Sequence, residues 1–252
     1  MKRPAKPRPR DPEGTRARIL KNATSEFASR GFSGARTARI ARLAKVNVRM
    51  LYHYFGGKDA LYIAVLESAY ENLRREELQL DFEDSAPLDG VLRLFDFIDG
   101  HFARHPELRA LFAYENLNRA QHLRRSERIP TMSSPVIGLI ERLLERGQKA
   151  GQFRGDIDAL RLYVTMVSLS YYSKAHAYTL SRIFETDLSA PDWQRAQAGD
   201  VHRMIAAFIV AEGDQSQGSG RAPSNLDEGA CHPTMAPCAA IISSTEALKA
   251  GK

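Results

Sequence analysis

The chain has 252 residues, 43% hydrophobic, 26% charged and 8% aromatic, which suits a globular protein that buries a core without staples. No apolar run approaches the roughly 18 residues of a membrane span, and the basic N-terminus lacks the apolar stretch of a secretory signal. The two cysteines, Cys231 and Cys238, lie in a polar stretch without disulfide-framework or zinc-finger spacing, which excludes those classes and makes a reducing cytoplasm the expected compartment. The net charge of +6 is unevenly spread. Residues 1–60 hold fifteen Lys and Arg against Asp11, Glu13, Glu26 and Asp59, a balance of +11, so the remainder is acidic by −5. Such a split points to a first part that meets a polyanion and a second part that does not.

Taken in chain order, almost every segment has a helical period and none alternates like a strand. The first helix starts near Asp11–Glu13, where acids face the positive end of the helix dipole, carries Ile19, Leu20, Ala23 and Phe27 on one face, and stops at Gly31. A short helix at Thr37–Ala44 turns Ile40, Ala41 and Ala44 inward. After a break at Lys45–Asn47, another runs from Val48 to Phe55 with Leu51 and Phe55 inward. Gly56-Gly57 ends it, and a long helix runs from Lys58 to about Gln79 with Leu61, Val65, Ala69 and Leu73 in a stripe. A polar loop at Asp81–Pro87 then separates the first helices from five more, expected at about 87–104, 107–125, 133–150, 157–184 and 194–211. Residues 213–252 are rich in Gly, Ser, Pro and Ala without an apolar period and read as a disordered tail.

Three short helices followed by a long one, with a tight break between the second and third, make a helix-turn-helix pattern. The third helix must lock its apolar face onto the first two while its polar face enters a major groove. Leu51 and Phe55 supply the lock, which leaves Val48, Arg49, Met50, Tyr52 and His53 on the outward side.

The runs Thr15–Leu20, Glu26–Ala28, Gly31-Phe32, Ile40-Ala41, Ala44–Asn47, Leu51–Phe55 and Lys58–Leu61 resemble, in order and spacing over residues 12–72, the DNA-binding domain of TetR-family transcriptional regulators. The Lys58–Leu66 run is also similar to the pyrimidine-utilisation branch of that family. The resemblance implies an all-α homodimer with four parts. A basic flexible arm (1–11) precedes a three-helix helix-turn-helix domain (12–72), which a long helix joins to a helical-bundle ligand and dimerisation domain (73–212), followed by the tail. It further implies a repressor on an inverted-repeat DNA operator, released by a small-molecule effector, acting in the cytoplasm at the nucleoid. Carried over by position, Arg36 and Thr37 meet phosphate at the start of the second helix, and Val48, Arg49 and Met50 face base edges. Arg49 is the guanine reader, since a guanidinium donates two bonds to O6 and N7. Tyr52 and His53 contact phosphate or a thymine methyl, or else pack against the first helix, and Lys58 touches the backbone. Two departures stand out. Lys45 replaces the usual Gly in a turn of positive φ, at about 1 kcal/mol, and adds a cation near DNA. Asn47 replaces a common Ser and caps as well. Arg39 and Arg42 read as a solvated face.

The second half is less explicit. His101 and His105 share a helix face at i, i+4, but no acid accompanies them at Glu-x-x-His spacing, so a charge interaction at the helix end is expected rather than a metal. Tyr114, Glu115, Asn118 and His122 fall on successive turns of one expected helix, and Tyr171, Tyr172 and His176 on another. They read as a polar-aromatic effector pocket or, more blandly, as bundle core and interface. The last two helices carry Leu160, Tyr163, Val164, Val167, Leu169, Ile205, Phe208 and Ile209, more apolar surface than one bundle face needs, which marks them as the dimer interface. No Ser-His-Asp order, Gly-rich phosphate loop or carboxylate-histidine set is present, so neither an enzyme nor a cofactor is expected. An architectural DNA binder without an effector would have no need of the large acidic second half.

Overall fold

The computed structural model describes residues 11–132 and 135–211. The tail expected at 213–252, and all of the expected arm except Asp11, lie outside the described residues. α1 (Pro12–Gly34) is opened by Asp11, whose carboxylate accepts the Gly14 N–H at 2.8 Å. Its helical run breaks at Gly31, at φ 65° and ψ 177°, a region that only glycine enters cheaply. α2 (Thr37–Leu43), α3 (Val48–Phe55) and α4 (Lys58–Glu77) follow. Ile19, Phe27, Ile40, Leu51, Leu61 and Tyr62 are fully buried and form one core. The residue 72/73 boundary therefore falls inside a continuous α4.

The remaining helices are α5 (Pro87–Arg104), α6 (Pro106–Leu117), α7 (Arg128–Thr131), α8 (Pro135–Lys149), α9 (Ala159–Ala175), α10 (Ala177–Phe184) and α11 (Pro191–Ile209), with a 3-10 turn at Leu123–Arg125. α5 is central to a second core and lies against α8, α9 and α11, contributing Val91, Leu94, Phe95 and Ile98. Among the described residues the only strand-like pairing is an isolated antiparallel bridge between Phe153 and Val210, and no helix is long and apolar enough to cross a membrane.

Three expected helices are corrected. The helix drawn over 107–125 stops at Leu117 because Arg119 and Ala120 both adopt left-handed conformations, at φ 54° and 56°. His122 is therefore not on the helix of Tyr114. The helix drawn over 157–184 divides at His176 into α9 and α10, and it begins only after Asp158, whose carboxylate caps the Arg161 N–H at 2.8 Å. α11 starts at Pro191, three residues earlier than its period suggested, because proline suits the first turn of a helix. α6 is shared between the cores: Leu108 belongs to the second and Leu111 to the first.

Candidate nucleic-acid interface

α3 is an eight-residue helix with one apolar and one polar face. Leu51 and Phe55 are buried against α1, α2 and α4, while Arg49, Met50, Tyr52 and His53 are exposed and Val48 is half-buried. Asn47 caps it, its side-chain oxygen accepting the Met50 N–H at 2.7 Å. Lys45, in the turn between α2 and α3, has a φ of 56°, the left-handed conformation that its replacement of glycine implied. The Thr37 hydroxyl lies 3.4 Å from the Tyr52 hydroxyl, so the start of α2 and the outer face of α3 form one continuous surface. Arg49 is exposed and has no ion-pair partner among the described residues. Tyr52 and His53 are both exposed: Tyr52 meets Thr37, and the His53 ring lies edge-on to Tyr54. The Lys58 ammonium donates to the Ser33 carbonyl at 3.3 Å and stands 4.8 Å over the Phe32 ring, so it also ties α4 to the last turn of α1.

Glu26 supports this surface from beneath and is a residue that the apolar period did not single out. It is 3% exposed, and its carboxylate pairs with Arg39 at 2.9 Å and Arg30 at 3.6 Å and accepts the Arg36 backbone N–H at 3.4 Å. One buried acid thus sets the N-terminus of α2 and aims an arginine cluster around an open cleft of about 570 Å³ that Arg42 completes. Arg39 does lie on a solvated face, as expected, and a buried carboxylate holds it there.

Behind this surface, α6 is wedged against α1 and α4. The Tyr114 ring presses on Gly31, where a Cβ would come within 2.9 Å of it. Buried Glu115 accepts the backbone N–H groups of His122 and Leu123 at 3.2 and 3.0 Å and lies 3.0 Å from His122 Nδ1. The His122 ring in turn packs on Phe32 and Tyr62, with centroids 4.2 and 4.8 Å away. Burial, and then the Glu115 carboxylate, push the Tyr62 hydroxyl well above its ordinary range, so it stays protonated. After the 3-10 turn, Arg125 pairs with Asp59 at 2.7 Å, Ser126 donates to Glu67 at 2.7 Å, and Arg128 holds Glu67 and Glu71. The Arg125 hydrogen bond keeps the Asp59 carboxyl below its usual value.

Comparison with known proteins bears on both halves. The family model described as "Bacterial regulatory proteins, tetR family" matches residues 19–65, and "Tetracyclin repressor-like, C-terminal domain" matches 87–210. The HTH-type transcriptional repressor NicS of Pseudomonas putida is 37% identical over 175 residues, spanning 69% of this chain and 82% of NicS. The chain belongs to the TetR family. As a TetR-family protein it is a DNA-binding transcriptional regulator, and the family's members are regulators rather than enzymes. A second relative, the HTH-type transcriptional repressor SCO4008 of Streptomyces coelicolor, is 38% identical over 110 residues, 43% of this chain and 53% of its own length. The fold is shared with the transcriptional regulator SCO4942 of Streptomyces coelicolor, with a TM-score of 0.58 at 24% identity over 77% of this chain and 98% of the other. It is shared also with a TetR regulator of Chloroflexus aurantiacus, with a TM-score of 0.57 at 21% identity over 80% and 98%.

The six residues expected to line a pocket are separated in this TetR chain. Tyr114 and buried His122 face α1 and α4, and Asn118 is the exposed C-cap of α6, donating to the Tyr114 carbonyl at 2.7 Å. Tyr171 is half-buried, its hydroxyl donating to the Arg109 carbonyl at 3.2 Å and its ring packing on Phe102. Tyr172 and His176 are exposed, one turn apart, and stack on each other at 4.4 Å. A cavity of about 170 Å³ opens instead beside Ala103, Arg109, Lys174, Tyr178 and Gln194, where the Gln194 side-chain oxygen is buried without a hydrogen-bond partner. Of the apolar residues expected at a dimer interface, Ile205 and Ile209 are buried in the chain's own core, with Tyr163, Val167 and Leu169 packed against it. Leu160, Val164 and Phe208 remain exposed, joined by Met204.

Proposed function

We propose that the chain is a homodimeric repressor that binds an inverted-repeat operator and leaves it when a small molecule enters the α5–α11 half. The observation that carries the DNA-binding part is α3 itself: an apolar face locked in the core, a capped N-terminus, and Arg49 presented unpaired to solvent. In this reading residues 12–72 are the DNA-binding domain and 73–212 the sensing and dimerising domain. Val48, Arg49 and Met50 read bases. Arg36, Thr37, Lys45, Tyr52, His53 and Lys58 meet the backbone, with Asn47 fixing the helix. Two curated relatives carry the name repressor, which favours repression. The exposed pairs Leu160/Val164 on α9 and Met204/Phe208 on α11, each one helical turn apart, are the dimer surface. The effector enters by the cavity that Arg109 and Lys174 line, and α6, with a residue in each core, passes its arrival to α1. The protein acts in the cytoplasm at the nucleoid and carries out no catalysis.

Selection of bound DNA from a random pool with the purified protein tests this. A two-fold symmetric sequence should be enriched, with half-sites spaced by about one helical turn. A pool that returns no preferred sequence would reject the repressor reading.

A further inference from the structure

The chain brings three metal-capable side chains together outside the DNA-binding surface. His101 and His105 lie one turn apart near the end of α5, and the acid that their own helix lacks arrives from the last turns of α4 as Glu76. His101 Nδ1 is 3.0 Å from one Glu76 oxygen and His105 Nε2 is 3.6 Å from the other, and the imidazole centroids are 4.3 Å apart. One donor atom from each residue lies within 4.8 Å of the others. His101 is 3% exposed and is flanked by Phe97 and Phe102, so its ring is fixed by packing.

We propose that Glu76, His101 and His105 form a binding site for one divalent transition-metal ion of the zinc kind, which clips the end of α4 to α5. Two imidazoles and one carboxylate suit Zn²⁺, Co²⁺ or Ni²⁺ rather than the all-oxygen shells of Mg²⁺ and Ca²⁺. Ligand atoms about 2.0–2.2 Å from a tetrahedral ion stand about 3.3–3.6 Å from one another. The two imidazoles reach different oxygens of Glu76, and the three donor atoms lie within 4.8 Å of one another, so a bound ion would draw them together by side-chain rotation. Glu76 and His105 are both more than one-third exposed at the side chain, which leaves the fourth position open to water or another ligand. Arg104, 3.7 Å from the Glu76 carboxylate, occupies part of the space; at 60% exposure its long side chain is free to swing into solvent when a cation enters. α4 also carries Leu61, Tyr62, Val65 and Leu66 of the DNA-binding core. An ion that fixes its far end therefore acts on the helix that holds α3, and by linkage DNA and metal alter each other's affinity by the same factor.

The test is a calorimetric titration of Zn²⁺ into chelator-stripped, full-length protein, run beside His105→Ala and Glu76→Gln. Cys231, His232 and Cys238 remain in every variant, so zinc bound there cancels in the comparison. Each variant should lose one tight equivalent per chain, or bind it more than about tenfold more weakly, and should lose the corresponding zinc-dependent rise in Tm. Circular dichroism checks that both remain folded. His101→Ala adds a third measurement, and the two half-exposed positions decide the outcome if it fails to fold. Equal stoichiometry, affinity and Tm shift in wild type and both variants would overturn the site and leave an ion-pair network only.

Discussion

Replacing Gly31 by alanine tests the joint between the DNA-binding helices and the rest of the protein. Two costs add at this position. The backbone, at φ 65° and ψ 177°, is in a region essentially reserved for glycine, worth about 1–3 kcal/mol for any other residue. The new Cβ would also lie 2.9, 3.0 and 3.2 Å from three atoms of the Tyr114 ring. That ring cannot flex away as a long aliphatic chain would, so overpacking adds about 1–3 kcal/mol. Taking the middle of each range, Gly31→Ala should destabilise by about 4 kcal/mol, a large share of the about 5–15 kcal/mol that holds a typical protein. Two glycines nearby separate the components. Gly56 has a φ of 78° but nothing within 4 Å of its virtual Cβ, so Gly56→Ala should cost only about 1 kcal/mol. Gly57 is extended and open, and Gly57→Ala should stay within about 0.5 kcal/mol. Urea unfolding followed by circular dichroism at one fixed protein concentration measures all three. Adding Tyr114→Ala to Gly31→Ala removes the clash and keeps the backbone strain, so the two changes should be non-additive by about 1–2 kcal/mol. If Gly31→Ala cost no more than Gly56→Ala, the Tyr114 ring would sit loosely and α6 could not press on α1 as described.

Further outcomes are expected on the DNA and dimer surfaces. Arg49→Ala should cost about 1–3 kcal/mol per half-site on the selected operator and little on random DNA, measured by fluorescence anisotropy; equal losses on both would mean that Arg49 touches the DNA backbone instead. Lys58→Ala should weaken every sequence alike, lower the log–log salt slope by about one unit for each phosphate left without its ammonium, and cost about 0.5–1 kcal/mol in urea for its place over Phe32. Val164→Asp and Met204→Asp should give monomers in sedimentation with helical content intact, whereas Val167→Asp should also lower Tm because Val167 packs on the chain's own core. His122→Ala leaves Glu115 buried with its two backbone donors and no ring partner, and should cost about 1–3 kcal/mol in urea.

The DNA-binding helices were legible because their signals are local. An apolar period of 3.6, the Asn47 cap and the Gly56-Gly57 stop all lie within a few residues of what they control. Lys45 was legible too, from the residue type that the turn expects. Glu26 was not, since an acid beside an apolar stripe reads as helix surface until Arg30, Arg36 and Arg39 are seen to converge on it. The end of α6 was missed for a related reason: Arg119 and Ala120 enter the left-handed region without a glycine to announce it, pulled there by a turn in which the Ala120 N–H donates to the Glu115 carbonyl at 2.7 Å. Once that helix is shortened, His122 moves from a supposed pocket wall to the back of the DNA-binding core. The acid facing His101 was hidden by its distance along the chain, 25 positions away.

The place of Leu111, on α6 but in the first core, sets a limit on how this protein can be dissected or recombined. Leu111 is fully buried in the first core, and Leu123 and Ile129 pack onto the same cluster. A fragment ending at residue 72 would expose the apolar seat of all three and lose the Asp59, Glu67 and Glu71 pairs with Arg125 and Arg128. A chimera that grafts this operator specificity onto a foreign sensor therefore has to carry residues 106–131 with the helix-turn-helix, or redesign the recipient's α6 to fill the same seat.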